Sequence, residues 1–554
     1  MKIGKTHDPQ KAARSPLPSA HAAAKILTRT VIIAFPEEGH RMSQTKDPSG
    51  VSDLSGVCDD DAELHRLGYP RKLSRRMSAF DNFGVSFTII SILSGCLTMY
   101  YFGMNNGGPA LITWGWLAVG GMTMLVGLSM GEVCSAFPTS GALYFYSAKL
   151  AKRHGPLASW YTGWLNALGQ MAITAGIDYG AATFLGAFAA LQWNFVPTLH
   201  SVLGIYAAVL VVHGLLNTFG VRLVALLNRV SVWWHLIGVV VIVGVLAFKP
   251  AHHQSASFVF TKFVNNSGFG FHGSGVYVAA VGLLMAGYTF TGYDASAHMT
   301  EETASASVAA PKGIVRAIYV SWIAGFVLLV GITFAIQDYA SEAGSAVPPA
   351  QIFVDAIGLT GGKLLLLIAI VAQLFCGMSS VTANSRMLFA FSRDRALPGS
   401  GLWYKVNPRT KTPTNAVWLA VTGAFVLAVP SWWNSTAYGA VTSIATIGLY
   451  LAYIIPVYLR LRQGENFQRG PWHLGAWSKP VGWLAVAWVA FMSVMFLLPQ
   501  LAPITTHTFN YAPVALAVVL LGATVWWFAT ARGTYTGPVS YGSPEELAAL
   551  EAEG

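Results

Sequence analysis

Charge is what this chain of 554 residues has least of: 10% of its residues are charged, where an average soluble domain carries roughly 25%. A chain so poor in charge, and 54% hydrophobic, cannot cover a water-facing surface. That excludes an ordinary soluble domain. Cysteine is scarce as well, with four in the whole sequence. Cys58 precedes the apolar part of the chain, and Cys96, Cys134 and Cys376 fall in or at the ends of apolar runs, so neither a disulfide framework nor a zinc spacing forms. His-Glu-x-x-His and a Gly-x-x-x-x-Gly-Lys-Ser/Thr phosphate loop are absent, and His252-His253 stand without further ligands. The sequence therefore argues for no metal centre, no cofactor and no enzyme.

What the chain has in abundance is long apolar runs. A membrane span needs about 20 predominantly apolar residues, and twelve such segments follow the N-terminal region. They are Val85–Gly107, Ala110–Val133, Ala158–Leu185, Leu203–Phe219, Val224–Phe248 and Val276–Ala297, then Ile314–Ile336, Leu364–Phe389, Ala416–Val429, Thr442–Leu459, Val481–Leu498 and Ala512–Phe528. The ninth is short unless it continues to Trp433. The expected fold is all-α and integral to the membrane, with a twelve-helix domain over 77–532. With both termini cytoplasmic, all of the 34 Lys and Arg except Lys249, Lys262 and Lys363 lie in cytoplasmic segments, the bias that sets orientation in a plasma membrane. The net charge of +10 is thus dispersed among loops, and no nucleic-acid surface is expected.

Residues 1–76 are polar and aperiodic, with an acid cluster at Asp59, Asp60, Asp61 and Glu63. They read as a largely disordered cytoplasmic tail that becomes ordered near Leu67-Gly68-Tyr69. Met42 and Met77 are candidate starts that would remove part of it. Residues 533–554 form a cytoplasmic C-terminal tail, with a short helix expected over Glu545–Glu551.

Two of the spans are interrupted. The sixth runs apolar from Gly275 to Phe290 and then meets Thr291-Gly292-Tyr293-Asp294; the first is interrupted at Ser94-Gly95-Cys96. In a bilayer core every backbone N–H and C=O must be paired within the protein. A glycine beside a carboxylate at mid-span is therefore expected only where it faces a cavity or other protein. Breaks at corresponding places in two five-span halves point to a small-molecule site at the membrane midplane. A half-helix starting after Gly95 would offer N–H groups and a positive dipole end to a carboxylate. Carbonyls freed around Ile92–Ser94 and Tyr288–Thr291 would accept from an ammonium, so a zwitterion fits both. The plain alternative is that these small residues only let helices pack closely.

Taken in order, several motifs resemble one family. They are Ser94-Gly95; Gly131-Glu132 with Phe137-Pro138 and Ser140-Gly141; Asn217 with Gly220 and Arg222; Tyr288 through Thr303; Gly377 through Arg386; Phe391-Ser392-Arg393-Asp394 with Ala396-Leu397-Pro398; and Gly470-Pro471-Trp472. The chain resembles the amino acid–polyamine–organocation superfamily, in the amino acid/choline transporter branch that includes gamma-aminobutyrate (GABA) permeases. The resemblance runs from Leu73 to Arg532. It implies a leucine-transporter-like fold: spans 1–5 and 6–10 as an inverted repeat, spans 11 and 12 peripheral. It also implies a permease for an amino acid, GABA or a related amine, held between broken spans 1 and 6 with spans 3 and 8 contributing. At matching positions Ser94, Gly95 and Cys96 would receive the carboxylate, Thr291 and Gly292 would line the amine side, and Phe290 or Tyr293 would form an aromatic gate. Cys96 stands where relatives often carry another small or aliphatic residue, which bears on pocket size.

His235, half-way along the fifth span, resembles by position the place where some relatives carry a lysine in lieu of sodium. Histidine titrates near neutrality and can carry a proton, so proton coupling is the expectation. The alternative is a structural histidine bonded to a backbone group of span 1 or span 8. Ser379, Ser380 and Thr382 on span 8 offer oxygen ligands for sodium instead, although such hydroxyls more often bond their own helix. Asp178 in span 3 is either a partner for a substrate cation or a helix contact. Asp294 is expected to cap or link the second half of span 6, and Glu132 and the Arg393-Asp394 pair to anchor cytoplasmic loops or a gate. Three functions stay open: an amino acid or GABA permease or exchanger, a choline- or polyamine-type carrier, and a sensor that binds ligand without flux.

Overall fold

The computed structural model of the chain describes residues 55–539 except 72 and 435, together with 542, 543, 545–547 and 549. The expectations for residues 1–54, Met42 among them, and for Glu551 lie outside the described residues. Every regular element among the described residues is helical. After α1 (Ser55–Arg66), the first span is built from α2 (Ala79–Ile90), α3 (Ile92–Thr98) and α4 (Tyr100–Asn105). Spans two to five are α5 (Trp116–Ala136), then, after the short α6 (Ala142–Leu150), α7 (Gly155–Trp193), α8 (Leu199–Phe219) and α9 (Val221–Phe248). The sixth is in pieces: α10 (Ser274–Gly282), α11 (Leu284–Thr289) and α12 (Ala295–His298). The rest are α13 (Ala306–Phe334), the short α14 (Tyr339–Ala343), α15 (Pro348–Arg393), α16 (Thr414–Ala428), α17 (Ala437–Gln463), α18 (Ser478–Leu497) and α19 (Ala512–Trp526).

Among the described residues, eleven helices are long and apolar enough to cross a membrane. The shorter apolar stretch Ser274–Thr289 stands where the sixth run was expected. The ninth span reaches Trp432 because a tighter turn over Val429–Trp432 prolongs α16. The eighth is much longer than Leu364–Phe389: α15 has 46 residues and bends at Gly358, whose φ of 80° and ψ of 168° no other residue adopts cheaply. That bend separates a short helix on one membrane face from the crossing proper.

Helices in lipid associate through close packing rather than through a hydrophobic driving force. Here α5 packs along α13, and α7 along both α15 and α17. Span 2 thus pairs with span 7 and span 3 with span 8, the relation expected of an inverted five-span repeat. Outside, α8, α9 and α19 leave Val212, Val240 and Leu521 exposed, the apolar face that a lipid-embedded bundle presents.

Order begins ahead of Leu67. The Asp60 carboxylate accepts the amides of Ser305 at 2.6 Å and Ala306 at 3.0 Å, so α1 caps the helix N-terminus of α13. Burial raises the Asp60 carboxyl above its ordinary range, a rise that those amides and Arg75 oppose. Arg75 also bonds Asp61 at 3.1 Å and the Thr303 carbonyl at 3.0 Å. In the C-terminal segment Tyr535 is buried and its hydroxyl lies 2.7 Å from Ser159 Oγ.

Candidate functional site

The two breaks lie against each other. In the first span the helix is interrupted three residues earlier than the sequence suggested, at Ser91, which takes φ 36° and ψ 83°. The Ser91 carbonyl accepts the amides of Ser94 and Gly95 at 2.8 Å each. The half-helix therefore opens at Ile92, and its first amides are those of Ile92 and Leu93. Ser94, Gly95 and Cys96 lie inside that half-helix, and Thr98 Oγ1 donates to the Ser94 carbonyl at 2.9 Å. Gly95 has a packing role as well: a Cβ there would fall 2.7 Å from the Thr289 side chain.

In the sixth span the helix stops at Thr289 and resumes at Ala295. Gly292 makes the turn with φ +91°, and a Cβ on it would lie 2.2 Å from Ile89 Cγ2 in the first span. The turn is stitched by Thr291 Oγ1 donating to the Tyr288 carbonyl at 2.7 Å and by the Gly292 amide donating to Tyr453 Oη at 3.2 Å. Phe290 rests on Trp116 of α5, with centroids 4.3 Å apart, and Tyr293 on Tyr453 of α17 at 4.7 Å.

Asp294 links rather than caps. Its carboxylate accepts from Gln170 of α7 and Tyr453 of α17, each at 2.7 Å, and lies 3.3 Å from His298 Nε2. His298 in turn has Nδ1 3.0 Å from the Ser140 carbonyl. Asp178 faces α8, with Oδ2 3.0 Å from His213 Nδ1. A Cβ on Gly377 would strike Asp178 Oδ1 at 1.7 Å, so a helix contact with α15 occupies its other side.

His235 touches the break itself. Its Nδ1 is 2.8 Å from the Ser231 carbonyl, which can only accept, so Nδ1 carries the hydrogen. Nε2 is then the acceptor for the Ser91 hydroxyl at 2.6 Å. The hydroxyls offered for sodium diverge: Ser379 reaches Asn228 Oδ1 of α9 at 2.5 Å, Ser380 reaches Thr174 of α7 at 2.8 Å, and Thr382 reaches Asn217 Oδ1 of α8 at 2.6 Å. Three bonds to three helices do not converge on one ion.

On the side that carries the termini, charged side chains pair between elements of the bundle. Arg393 Nη1 pairs with Glu301 at 3.1 Å and Arg386 with Glu302 at 2.9 Å. Asp394 accepts from Tyr69 Oη at 3.0 Å, Tyr144 Oη at 2.7 Å and the Val539 amide at 3.2 Å, so both terminal segments meet on it. Glu132 pairs with Arg460 at 3.0 Å and accepts from Ser478, holding α5, α17 and α18 together.

On the opposite side a cavity of about 540 Å³ leads inward to Leu97, Thr98, Gly180 and Tyr438, and no charged side chain lines it. The bundle also buries polar groups without partners, and to two of these side chains, Tyr288 and Gln373, the sequence reading gave no role. Tyr288 Oη, both amide atoms of Gln373 and Asp178 Oδ1 are buried with no hydrogen-bond partner among the described residues. A Cβ on Gly176 would lie 2.5 Å from Tyr288 Oη, and Gln373 precedes Gly377 by one turn on the same face of α15. An unpartnered buried polar group costs roughly 1–3 kcal/mol, and here such groups gather on α7, α11 and α15. The signal was present: a glutamine within an apolar membrane run is itself costly.

Paired helix breaks at mid-bundle, with ion pairs on one face and an uncharged cavity on the other, are the arrangement of a membrane transporter. The family model described as amino acid permease matches residues 80–521, and the chain belongs to that family, within the amino acid–polyamine–organocation superfamily. It is 43% identical over 497 residues to the amino-acid permease BAT1 of Arabidopsis thaliana, covering 86% of this chain and 96% of that one. A BAT1 homolog of Oryza sativa subsp. japonica is 41% identical over 520 residues, 90% and 99% of the two chains. Amino-acid permease 2 of Neurospora crassa is 30% identical over 535 residues, 95% and 96% of the two. The protein is an integral, multi-pass transporter of amino acids.

Proposed function

We propose that the chain carries an amino acid or GABA across the plasma membrane by alternating access, coupled to protons, with both termini cytoplasmic. The broken sixth helix completes twelve crossings in this reading. One observation carries it: Ser91 and Gly292 break their helices side by side, with Ile89 against Gly292 and Thr289 against Gly95. Helix-start amides at Ile92 and Leu93 suit a carboxylate, and carbonyls around the Gly292 turn suit an ammonium. The ion pairs of Glu301, Glu302, Arg386 and Arg393 are then the closed cytoplasmic gate, and the cavity is the outer vestibule. A second reading, a choline-like carrier, is favoured by the aromatic rings Tyr101, Tyr179, Phe184 and Tyr438 around that cavity.

Radiolabelled uptake into proteoliposomes separates these readings. GABA, leucine, glutamate and choline are each offered under imposed proton or sodium gradients. Uptake of an amino acid or GABA driven by an inward proton gradient is expected, and choline uptake alone would overturn the zwitterion site. His235→Ala should leave uptake that no longer responds to the proton gradient, because protonated Nε2 can no longer accept from Ser91. An unchanged gradient response would make His235 a structural group.

Gln373 supplies a further test. Gln373→Leu removes a buried amide that has no partner, so melting temperature should hold or rise while KM rises about five- to tenfold. A lower melting temperature with an unaltered KM would assign Gln373 to folding instead.

A further inference from the structure

Glu342 belongs neither to the gap between the breaks nor to the ion pairs beside the termini. It sits on α14, the short helix between spans 7 and 8, and is fully buried. Oε1 accepts the Gln337 amide at 3.1 Å, while Oε2 is buried with no partner among the described residues. Its charged and titratable surroundings are acids, phenols and two histidines. Asp338 caps α14 through the amides of Ala340 and Ser341. Asp355, on the short helix ahead of the Gly358 bend, accepts from Gln351 at 2.8 Å. Tyr339 bonds the Met104 carbonyl at 2.5 Å, and Tyr100 lies 2.7 Å from Thr333 Oγ1. From the adjoining loop, His252 gives its carbonyl to Gln337, and His253 Nε2 lies 2.9 Å from the Leu246 carbonyl. A carboxylate here would be repelled by those of Asp338 and Asp355.

The placement of α14 makes that matter. Tyr339 and Asn105, the latter 3.3 Å from the Ala343 carbonyl, tie α14 to the outer end of the first span. The chain that follows, Ser345 to Pro348, lines the mouth of the cavity. We propose that Glu342 is a proton-binding site on the face opposite the termini, and that its protonation holds α14 and residues 345–348 seated at the cavity mouth as they are here, a lid that ionisation of Glu342 opens further. The proton comes from water on that face, forms an O–H bond at Oε2, and returns to the same water when the lid opens. The inference rests on reading the cavity as the substrate vestibule, and not on proton coupling of transport.

The direction follows from the burial. Desolvation raises the Glu342 carboxyl from its ordinary 4.5 to about 7. An exposed Glu342 in the open state keeps the ordinary value. The seated lid therefore has its full stability below about 4.5, and loses it as pH rises through about 7.

A thiol placed at the mouth by Gln351→Cys reports the lid in the reconstituted full-length protein. Its rate of modification by a membrane-impermeant reagent is measured from pH 5 to 8, divided by that of a free thiol to remove thiolate ionisation. The corrected rate should rise by about fivefold or more, with a midpoint near pH 7. In the Glu342→Gln background the amide cannot ionise, so the rate should stay at its low acid value throughout. Glu342→Asp, kept as the variant that retains a carboxyl, should restore a pH-dependent step. The same step in Glu342→Gln, or no step with Glu342 intact, would overturn the proposal. Uptake that ignores a proton gradient while the lid step persists would fail the coupling reading and leave this one standing.

Discussion

Gly292→Ala is expected to reduce amino acid uptake in proteoliposomes to background, and removing its steric partner should not restore it. Two separate penalties act at this position. A Cβ would sit 2.2 Å from Ile89 Cγ2, inside any real contact distance, and the backbone holds φ +91°. The torsion alone costs a non-glycine residue roughly 1–2 kcal/mol. Ile89→Gly relieves only the first, so the double variant should remain inactive. Gly95 makes the informative contrast. Its φ is ordinary for a helix, and its one obstacle is the Thr289 side chain at 2.7 Å. Gly95→Ala should lose most uptake, and Gly95→Ala with Thr289→Gly should regain much of it. Uptake is normalised to monodisperse protein, so that loss of folding is counted apart from loss of transport. Wild-type uptake by Gly292→Ala would remove the break in span 6 from the transport cycle.

The second large effect is expected at the ion pairs beside the termini. Glu301→Ala leaves the Arg393 guanidinium, 1% exposed, without its carboxylate. Removing one member of a buried pair typically costs about 3–5 kcal/mol, a large share of the roughly 5–15 kcal/mol by which native domains are stable. Glu301 Oε1 also accepts the Ser140 amide at 3.0 Å, so the loss extends to the loop after α5. A lower melting temperature is expected, together with faster modification of a thiol introduced beside Arg393. Glu301→Ala with Arg393→Met should recover part of the melting temperature, because two apolar groups leave no charge stranded. A single variant as stable as the parent would show the pair to be solvated and the gate to be closed by something else.

Much of this organisation was legible in the chain. The low charge and the lengths of the apolar runs imply a membrane bundle, and the Thr291-Gly292 interruption lies at the observed turn of span 6. The Ser94-Gly95 interruption was legible only as a region. The turn occurs at Ser91, since a serine with positive φ has no local signature, and Gly95 turned out to hold the helices close. His235 was placed on the right span; its partner on span 1 is the side chain of Ser91, and its other nitrogen bonds the Ser231 carbonyl of its own helix. The side chains of Gln373 and Tyr288 had no expected role because a single polar residue in an apolar run says nothing about which helix it will face.

Composition, run length and the distribution of Lys and Arg belong to the sequence by itself, because partition between water and lipid depends on each segment's own residues. Family membership belongs there too, carried by motifs spread over the chain. Tertiary structure alone decided the partners: Glu301 with Arg393, Asp294 with Gln170 and Tyr453, Ser91 with His235, and Glu342 with almost none. Each of these contacts except that of Glu342 joins residues from 92 to 159 positions apart, and such pairing follows from how helices pack against one another. Local composition cannot encode it, since the same residue is a gate, a link or a proton site according to what the fold brings opposite.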